Sequence, residues 1–240
     1  PVQIDKEDLD IHGDTGNLVK EETFKAKDLL VPLLLSSSND SAYALARMIG
    51  RGRFVELMNQ KAMALGLTHT HFTDPSGLEM TNVSTPEEQL YFLKYLRDVR
   101  APILEMSARR SSRLTTDKET HTWYNFNWKS DDPEFVGGKI GYIEAAGKTM
   151  VAMFRVPISE FATRDIGIVG LGSQDQEHDI REILAWVKSN FVYASTMPAG
   201  ASGGSPVEIH SDNGDAEKYS MLFVGDIMMD RGIRNVVEKE

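Results

Sequence analysis

The sequence lacks cysteine and any long apolar run, and both absences exclude classes of protein. Without cysteine among its 240 residues, the chain has no disulfide framework, no thiolate nucleophile and no thiolate metal site. The longest apolar run, Leu29 to Leu35, contains Pro32 and is far too short to cross a bilayer. These two absences leave the cellular compartment open.

Positive charge is also scarce. The chain carries 26 Lys and Arg against 36 Asp and Glu, a formal net charge of −10. Because binding to phosphate backbones needs a basic face, nucleic acid is not expected as a partner. Hydrophobic residues make up 41% of the chain, which is ordinary usage for a globular protein and excludes wholesale disorder.

The apolar spacing between residues 28 and 110 predicts a mostly helical region. Start and stop signals divide it: Asp28 is expected to cap the first helix, Gly50 and Gly52 to end the second, and Thr85 with Pro86 to open the last. The predicted helices are Leu29–Leu35, one beginning at Asp40 or Ser41, Phe54–Leu65, and one from Thr85 to about Val99.

From residue 135 the pattern changes to strands rich in Val, Ile and Met. The first two strands are separated by residues 144–147, a spacing typical of a hairpin. An amphipathic helix follows the strands. The predicted elements are the strands Phe135–Ile143, Lys148–Val156 and Asp165–Leu171 and the helix Asp179–Phe191. Helices followed by antiparallel strands and a closing helix predict an α+β fold.

The C-terminal part has a different character. Residues 195–218 are rich in Gly, Ser and Pro and then acidic, which predicts a flexible linker. Met221–Asp226 reads as a buried strand that enters a loop. We therefore expect a first domain over residues 1–194, a linker over 195–218, and the first strand of a truncated second domain over 219–240.

Two short motifs could carry chemistry. Ser37-Ser38-Asn39 falls at a break between helices, where a hydroxyl and a carboxamide can point into a cleft. Lys139-Ile140-Gly141 lies on a predicted strand, where an ammonium can attract a carboxylate and the glycine lets a substrate backbone approach. Taken alone, the first motif is more often a plain helix cap, and the second is more often a surface charge beside a turn.

Four ordered passages resemble the serine D-alanyl-D-alanine carboxypeptidases, the low-molecular-weight penicillin-binding proteins. Together they extend the resemblance over about residues 3–193. The passages are the stretch from Asp28 around Ser37-Ser38-Asn39, the loop Phe72–Leu78 followed by Ser84-Thr85, the strand and hairpin from Phe135 to Gly147, and Leu171-Gly172-Ser173 with Asp179 and the final helix.

The resemblance implies a β-lactamase-like or DD-peptidase-like fold and acyl transfer through an active-site serine. By the same resemblance, Ser37 relays a proton near the leaving amine, and Asn39 binds the substrate backbone and holds the catalytic lysine. Lys139 attracts the terminal carboxylate, and the strand Lys139-Ile140-Gly141 supplies part of an oxyanion hole. The implied partners are a peptidoglycan stem peptide ending in D-Ala-D-Ala and β-lactam inhibitors. No cofactor is expected.

The sequence departs from that family's pattern in two ways. No Ser-x-x-Lys, the motif that supplies the nucleophile and its base, occurs in the chain. We therefore expect the nucleophile, with the N-terminal part of the fold, to lie upstream of Pro1 and this chain to be inactive alone. The family's Lys-Thr-Gly is Lys139-Ile140-Gly141 here, and Ile140 lacks a hydroxyl that would help bind the carboxylate.

The C-terminal strand carries a second resemblance. Met221–Arg234 resembles the opening strand of the poly-γ-glutamate and capsule-synthesis family, whose fold is metallophosphoesterase-like. There Asp226 would be a strand-end carboxylate beside a metal or phosphate site. An ordinary Gly-Asp turn explains it equally well, and since one carboxylate cannot hold a metal, no metal is expected in this chain.

Three alternatives to a carboxypeptidase stay open. One is a peptidoglycan-binding pseudoenzyme, favoured by Ile140. Another is a class A-like β-lactamase, which would need a deacylating carboxylate. The third is an accessory cell-wall module for a C-terminal domain. The family implies export to the periplasm or the outer face of the cytoplasmic membrane, with any membrane anchor outside this chain.

Overall fold

A computed structural model describes residues 1–159, 162–190 and 222–225. Seven helices are found in these ranges: α1 Lys6–Leu9, α2 Leu30–Leu35, α3 Asn39–Arg47, α4 Arg51–Ala64, α5 Pro86–Val99, α6 Ala101–Ser107 and α7 Gln176–Asn190. The strands of the same ranges are β1 Val2–Gln3, β2 Thr23–Phe24, β3 Ser111–Thr115, β4 Thr120–Tyr124, β5 Phe135–Ile143, β6 Gly147–Ser159, β7 Ala162–Ser173 and β8 Leu222–Gly225. The α+β prediction is confirmed.

The main sheet has the order β5-β6-β7-β8, and each neighbouring pair is antiparallel. Alternate residues of its strands, such as Met150 and Ile168, face α7 and form a core with Ile180 and Ile183 of that helix. The predicted strands are therefore confirmed, because the runs of Val, Ile and Met mark residues that a sheet covered on both faces buries.

Helices α5 and α6 cover the other face of the sheet. Leu90 and Leu93 of α5 pack with Met153 and Val169, the residues that alternate with the α7-facing set. A Cβ at Gly167 would overlap the Leu90 side chain, so the glycine allows α5 to lie directly on β7. This contact fixes the helical part of the chain against the sheet.

The helices α2 and α3 form a second core with the N-terminal strands. Phe24, Leu29, Leu35 and Trp123 are buried together there. Trp123 belongs to a hairpin, β3 and β4, that the sequence analysis did not predict. Its strand β4 alternates exposed and buried residues, a period-two signal that mixed polar composition obscured.

Several predicted boundaries are wrong in detail. Asp28 does not cap α2, whose N-cap is Leu29 with no side-chain hydrogen bond. Gly52 lies inside α4, and Gly50 is that helix's N-cap. Thr85 does cap α5 by accepting a hydrogen bond from the Glu88 N–H. These shifts of a few residues leave the order of the elements as predicted.

Strand β8 completes the main sheet on the side of β7. Leu222–Gly225 pair with Ile166–Val169, so this strand has a partner within the chain. The linker predicted over 195–218 and the remainder of 219–240 lie outside the described residues. The division into two domains stays a prediction. None of the described helices combines the length and apolar character needed to cross a membrane.

Candidate functional site

Ser37 occupies a sharp bend between α2 and α3. Its φ of 58° lies in the left-handed region, which is costly for a residue with a side chain and is often found at functional sites. The next residue, Ser38, ends the bend by capping α3 through its side chain, which accepts from the Ser41 N–H. The bend therefore holds the Ser37 hydroxyl outside both helices.

Lys139 reaches this bend from the sheet. Its Nζ donates a hydrogen bond to Ser37 Oγ at 2.8 Å and another to the Ile140 carbonyl oxygen at 2.7 Å. Burial disfavours the charged ammonium and lowers the pKa of Lys139 to about 8, while the nearby Asp14 carboxylate opposes this shift. Two predicted residues that are 102 positions apart thus meet in the fold.

Asn39, the last residue of the Ser37-Ser38-Asn39 motif, is the first residue of α3. Its backbone N–H donates to the Asp14 carbonyl oxygen at 2.7 Å. Its side-chain Nδ2 donates to the His12 carbonyl oxygen at 2.9 Å. Both bonds tie Asn39 to the same stretch of chain, so its side-chain amide has a fixed orientation.

The strand residues after Lys139 divide between the two faces of the sheet. Ile140 is partly buried and packs against the core beneath α7. Gly141 pairs with Thr149 of β6, whose hydroxyl donates to the Gly141 carbonyl oxygen at 3.3 Å. In the described sheet β5 is an edge strand, so its free edge can accept an extended peptide.

Two glycines before Lys139 allow β5 to pack closely on its neighbours, Gly137 against helix α6 and Gly138 against strand β6. A Cβ at Gly138 would overlap the Val151 carbonyl oxygen, and one at Gly137 would overlap the Leu104 carbonyl oxygen. The Gly138 N–H donates to Ser107 Oγ at 2.9 Å. This bond attaches the strand to the end of α6 just before the lysine.

The segment after β4 joins the two halves of the site. The Asn125 side chain donates to the Ser107 carbonyl oxygen at 2.8 Å, and the Phe126 N–H donates to the Leu35 carbonyl oxygen at 2.8 Å. Leu35 is two residues before Ser37. A continuous series of contacts therefore fixes the helix break relative to strand β5.

A buried acid follows the motif. Asp40 is 1% exposed, and its Oδ1 has no hydrogen-bond partner in the described residues. Desolvation, followed by repulsion from Asp8, raises the pKa of Asp40 to about 7. Asp8 itself is fully buried and paired with Arg47. Two buried acidic side chains, Asp8 and Asp40, therefore lie near each other next to the helix break.

Sequence reasoning missed the residues that hold the motif in place. These are His12, Asp14, Ser107 and Asn125. His12 and Asp14 accept hydrogen bonds through their backbone carbonyls. Since every residue type has a backbone carbonyl, the sequence gives no sign of this role. The only available signal was the pair of glycines, Gly13 and Gly16, in a turn-rich stretch. In the described ranges, no three His, Asp or Glu side chains gather into a group that could hold a metal ion.

Comparison with solved structures defines the class of fold. The D-alanyl-D-alanine carboxypeptidase of Mycobacterium tuberculosis H37Rv superposes with a TM-score of 0.68 and 26% identity, covering 85% of this chain and 77% of that one. The Streptomyces K15 DD-transpeptidase superposes with a TM-score of 0.67 at 23% identity over 77% of each chain. The fold is that of the DD-peptidases and penicillin-binding proteins, as predicted.

Sequence comparison gives the family. The family model described as D-alanyl-D-alanine carboxypeptidase, peptidase family S11, matches residues 8–156, and the chain belongs to this family. The D-alanyl-D-alanine endopeptidase of Haemophilus influenzae is 33% identical over 62% of this chain and 53% of its own length. The D-alanyl-D-alanine carboxypeptidase DacB2 of M. tuberculosis is 36% identical over 54% of this chain and 46% of its own. The chain spans about half the length of these curated relatives.

Proposed function

We propose that this chain is the substrate-binding part of a serine-type D-Ala-D-Ala carboxypeptidase that acts on peptidoglycan stem peptides. The observation that carries the proposal is the hydrogen bond between Lys139 Nζ and Ser37 Oγ. It joins a cation and a hydroxyl at the free edge of a strand, in a chain of the S11 family. A peptide ending in D-Ala has the carboxylate and the backbone amides that such a site can bind.

Each residue then has a defined role. The Lys139 ammonium attracts the terminal carboxylate, and the β5 edge binds the peptide backbone as an added strand. Asn39, through its side-chain oxygen, accepts a hydrogen bond from a backbone amide of the substrate. When the nucleophile attacks, the carbonyl carbon forms a bond to the serine oxygen and its C–N bond breaks. The lysine base takes the proton of the serine hydroxyl and returns it through Ser37, which is held by Lys139, to the departing amine of D-Ala. Water then releases the acyl group.

We further propose that the nucleophilic serine and its lysine base are supplied by residues outside this chain. The support is that no Ser-x-x-Lys occurs among its 240 residues. The chain alone is then expected to bind a stem peptide without turnover. The substrate and the family support an exported protein working at the cell wall, with β-lactams as inhibitors and any membrane anchor in another segment.

Intact mass after incubation with a penicillin tests this assignment. We expect no adduct on this chain and one adduct per molecule on a longer protein that includes the residues upstream of Pro1. An adduct on this chain alone would show that a serine already present, Ser37 first among them, is the nucleophile, and would contradict the proposal. Because some relatives are named endopeptidases, turnover by the longer protein should be measured on a pentapeptide and on a cross-linked dimer.

A pseudoenzyme that binds peptidoglycan is the second candidate, and one observation favours it. Ile140 replaces a hydroxyl on the substrate-binding strand and packs instead into the core beneath α7. A longer protein that binds the stem peptide and forms no penicillin adduct would select this candidate. A short-lived adduct with rapid release of hydrolysed penicillin would instead indicate a β-lactamase.

A further inference from the structure

A short segment, His12–Gly16, lies directly over the Ser37-Ser38-Asn39 motif, and we name it the site loop. Three of its carbonyl groups accept hydrogen bonds from the motif. Those of His12 and Asp14 accept from the side chain and the backbone of Asn39 at 2.9 and 2.7 Å. That of Thr15 accepts from Ser38 Oγ at 2.7 Å. All three hydrogen bonds use the backbone of the loop.

Glycine makes this approach possible at both ends of the loop. Gly13 and Gly16 have φ values of 94° and 75°, in the left-handed region that glycine tolerates. A Cβ at Gly13 would lie 2.7 Å from Asn39 Nδ2, and one at Gly16 would lie 2.5 Å from Ser38 Oγ. Either side chain would push the motif away from the loop.

The end of the loop is anchored from below. Trp123 Nε1 donates to the Gly16 carbonyl oxygen at 2.6 Å. The indole is buried and stacks on His121 with ring centroids 5.0 Å apart. His121 Nε2 in turn lies 2.7 Å from the buried Glu22 carboxylate. The buried side chains of Trp123, His121 and Glu22 therefore fix the position of the loop relative to α3.

We propose that the site loop is a positioning element for acyl transfer, with Gly13, Gly16 and Trp123 as positioning residues. By accepting from Nδ2, the His12 carbonyl fixes which end of the Asn39 amide faces the loop. Oδ1 is then directed to the opposite side, where a lysine or a substrate amide can donate to it. This inference rests on the proposed function, and it adds residues outside the family motifs to the site.

A purely structural loop would stabilise the fold without setting the geometry of Asn39, so the test must separate the two roles. Gly13→Ala is the test variant and Gly77→Ala the matched control. Gly77 has a φ of 90°, close to that of Gly13, but nothing lies within 4 Å of its Cβ position. Both variants carry the same backbone strain, and only Gly13→Ala crowds Asn39.

Two measurements on the full chain decide the question. The first is the side-chain amide NMR signal of Asn39, and the second is the affinity for a peptide ending in D-Ala-D-Ala. We expect Gly13→Ala to shift the Asn39 amide signals and to weaken binding about tenfold or more. Gly77→Ala should lower the melting temperature by a similar amount and change neither reading.

Trp123→Phe provides a second, independent variant. It keeps an aromatic ring in the core but removes the pyrrole ring, with the N–H that holds Gly16. We expect a smaller change in the same direction, with binding weakened about threefold. Wild-type Asn39 signals and wild-type affinity in Gly13→Ala, or equal losses in Gly77→Ala, would overturn the inference. If the wild-type chain binds no peptide, the proposed function fails, while the Asn39 signals still decide the role of the loop.

Discussion

The two halves of the candidate site are held in place by different means. The helix break at Ser37–Asn39 is fixed by hydrogen bonds to the backbone of the site loop. The strand that carries Lys139 is fixed by sheet register and by the close approach of α6 at Gly137 and Gly138. The position of the helix break therefore depends on hydrogen bonds, and the position of the strand depends on close packing. Mutations in the two halves should therefore fail in different ways.

The largest effect is expected where packing is tightest. In Gly138→Ala the new Cβ would overlap the Val151 carbonyl oxygen, so strands β5 and β6 must separate. We expect a loss of about 3 kcal/mol in the free energy of unfolding, or failure to fold. Gly52→Ala is the control, since its Cβ meets nothing within 4 Å and alanine favours the helix. Denaturant unfolding of both variants measures the difference, and equal stability would break the comparison.

Removal of the cation should affect binding without comparable loss of fold. Lys139→Met keeps most of the side-chain volume and removes the charge that faces Ser37. A hydrogen bond to a charged group contributes about 1.5–3 kcal/mol, so affinity for a D-Ala-terminated peptide should fall at least tenfold. Calorimetric titration measures the loss. Lys148→Met, a change in a lysine of the neighbouring strand β6, is the control and should leave affinity unchanged.

The same cation predicts how binding depends on pH. Because burial lowers the pKa of Lys139 to about 8, the ammonium is present at neutral pH and is lost as pH rises through that value. Affinity for the peptide carboxylate should be constant near pH 6–7 and fall by up to about tenfold per pH unit above 8. A titration series at several pH values tests this, and affinity that stays constant to pH 10 would place the charge elsewhere.

Asp40 lies in the half of the site that contains the helix break, and its protonation predicts how the stability of the fold depends on pH. Its pKa is raised to about 7 in the folded chain, against 3.8 without burial. The folded state therefore holds a proton that the unfolded state has released between these values. This stabilisation is complete below pH 4 and is lost as pH rises through 7. Asp40→Asn should remove the loss and be more stable than wild type at pH 8, on the order of 1 kcal/mol.

Thermal unfolding of Asp40→Asn and wild type at pH 5 and pH 8 gives the measurement. Asp8→Asn is not a suitable control, because Asp8 is paired with Arg47. Asp131→Asn serves instead, because the ion pair of Asp131 with Arg110 is exposed on both sides and contributes little to stability. Parallel pH profiles for wild type and Asp40→Asn would show that this carboxyl does not carry the dependence.

The smallest effect is expected at Ile140. Ile140→Thr restores a hydroxyl on the strand but removes apolar contact with the core beneath α7. We expect peptide affinity to rise a few-fold, about 1 kcal/mol at most, and stability to fall by about 1 kcal/mol. Ile140→Val separates the two terms, since it trims the core contact without adding a hydroxyl. A gain in affinity from valine would contradict the role given to the hydroxyl.

Much of the fold was predictable from sequence because its elements follow apolar patterns. Strands β5 to β7 and helices α4, α5 and α7 were found within a few residues of their observed bounds. The hairpin β3–β4 was missed because only His121 and Trp123 of β4 face inward. The burial of His121 depends on Glu22, which is 99 residues away, and no local pattern reports such a pairing.

The site was predictable only where side chains carry it. Ser37 and Lys139 were named from their motifs, and the structure brings them together. The site loop was not identified as part of the site, because it contributes backbone carbonyls, and only glycines mark its path.

The most direct test of the central claim compares two peptides that differ in one group. A stem peptide ending in D-Ala-D-Ala with a free carboxylate, and the same peptide ending in a carboxamide, are titrated into the chain and into Lys139→Met. We predict that the carboxylate form binds the wild-type chain at least tenfold more tightly and that the difference disappears in Lys139→Met. Equal binding of both peptides to the wild-type chain would contradict the assignment of Ser37, Asn39 and Lys139 as the substrate site.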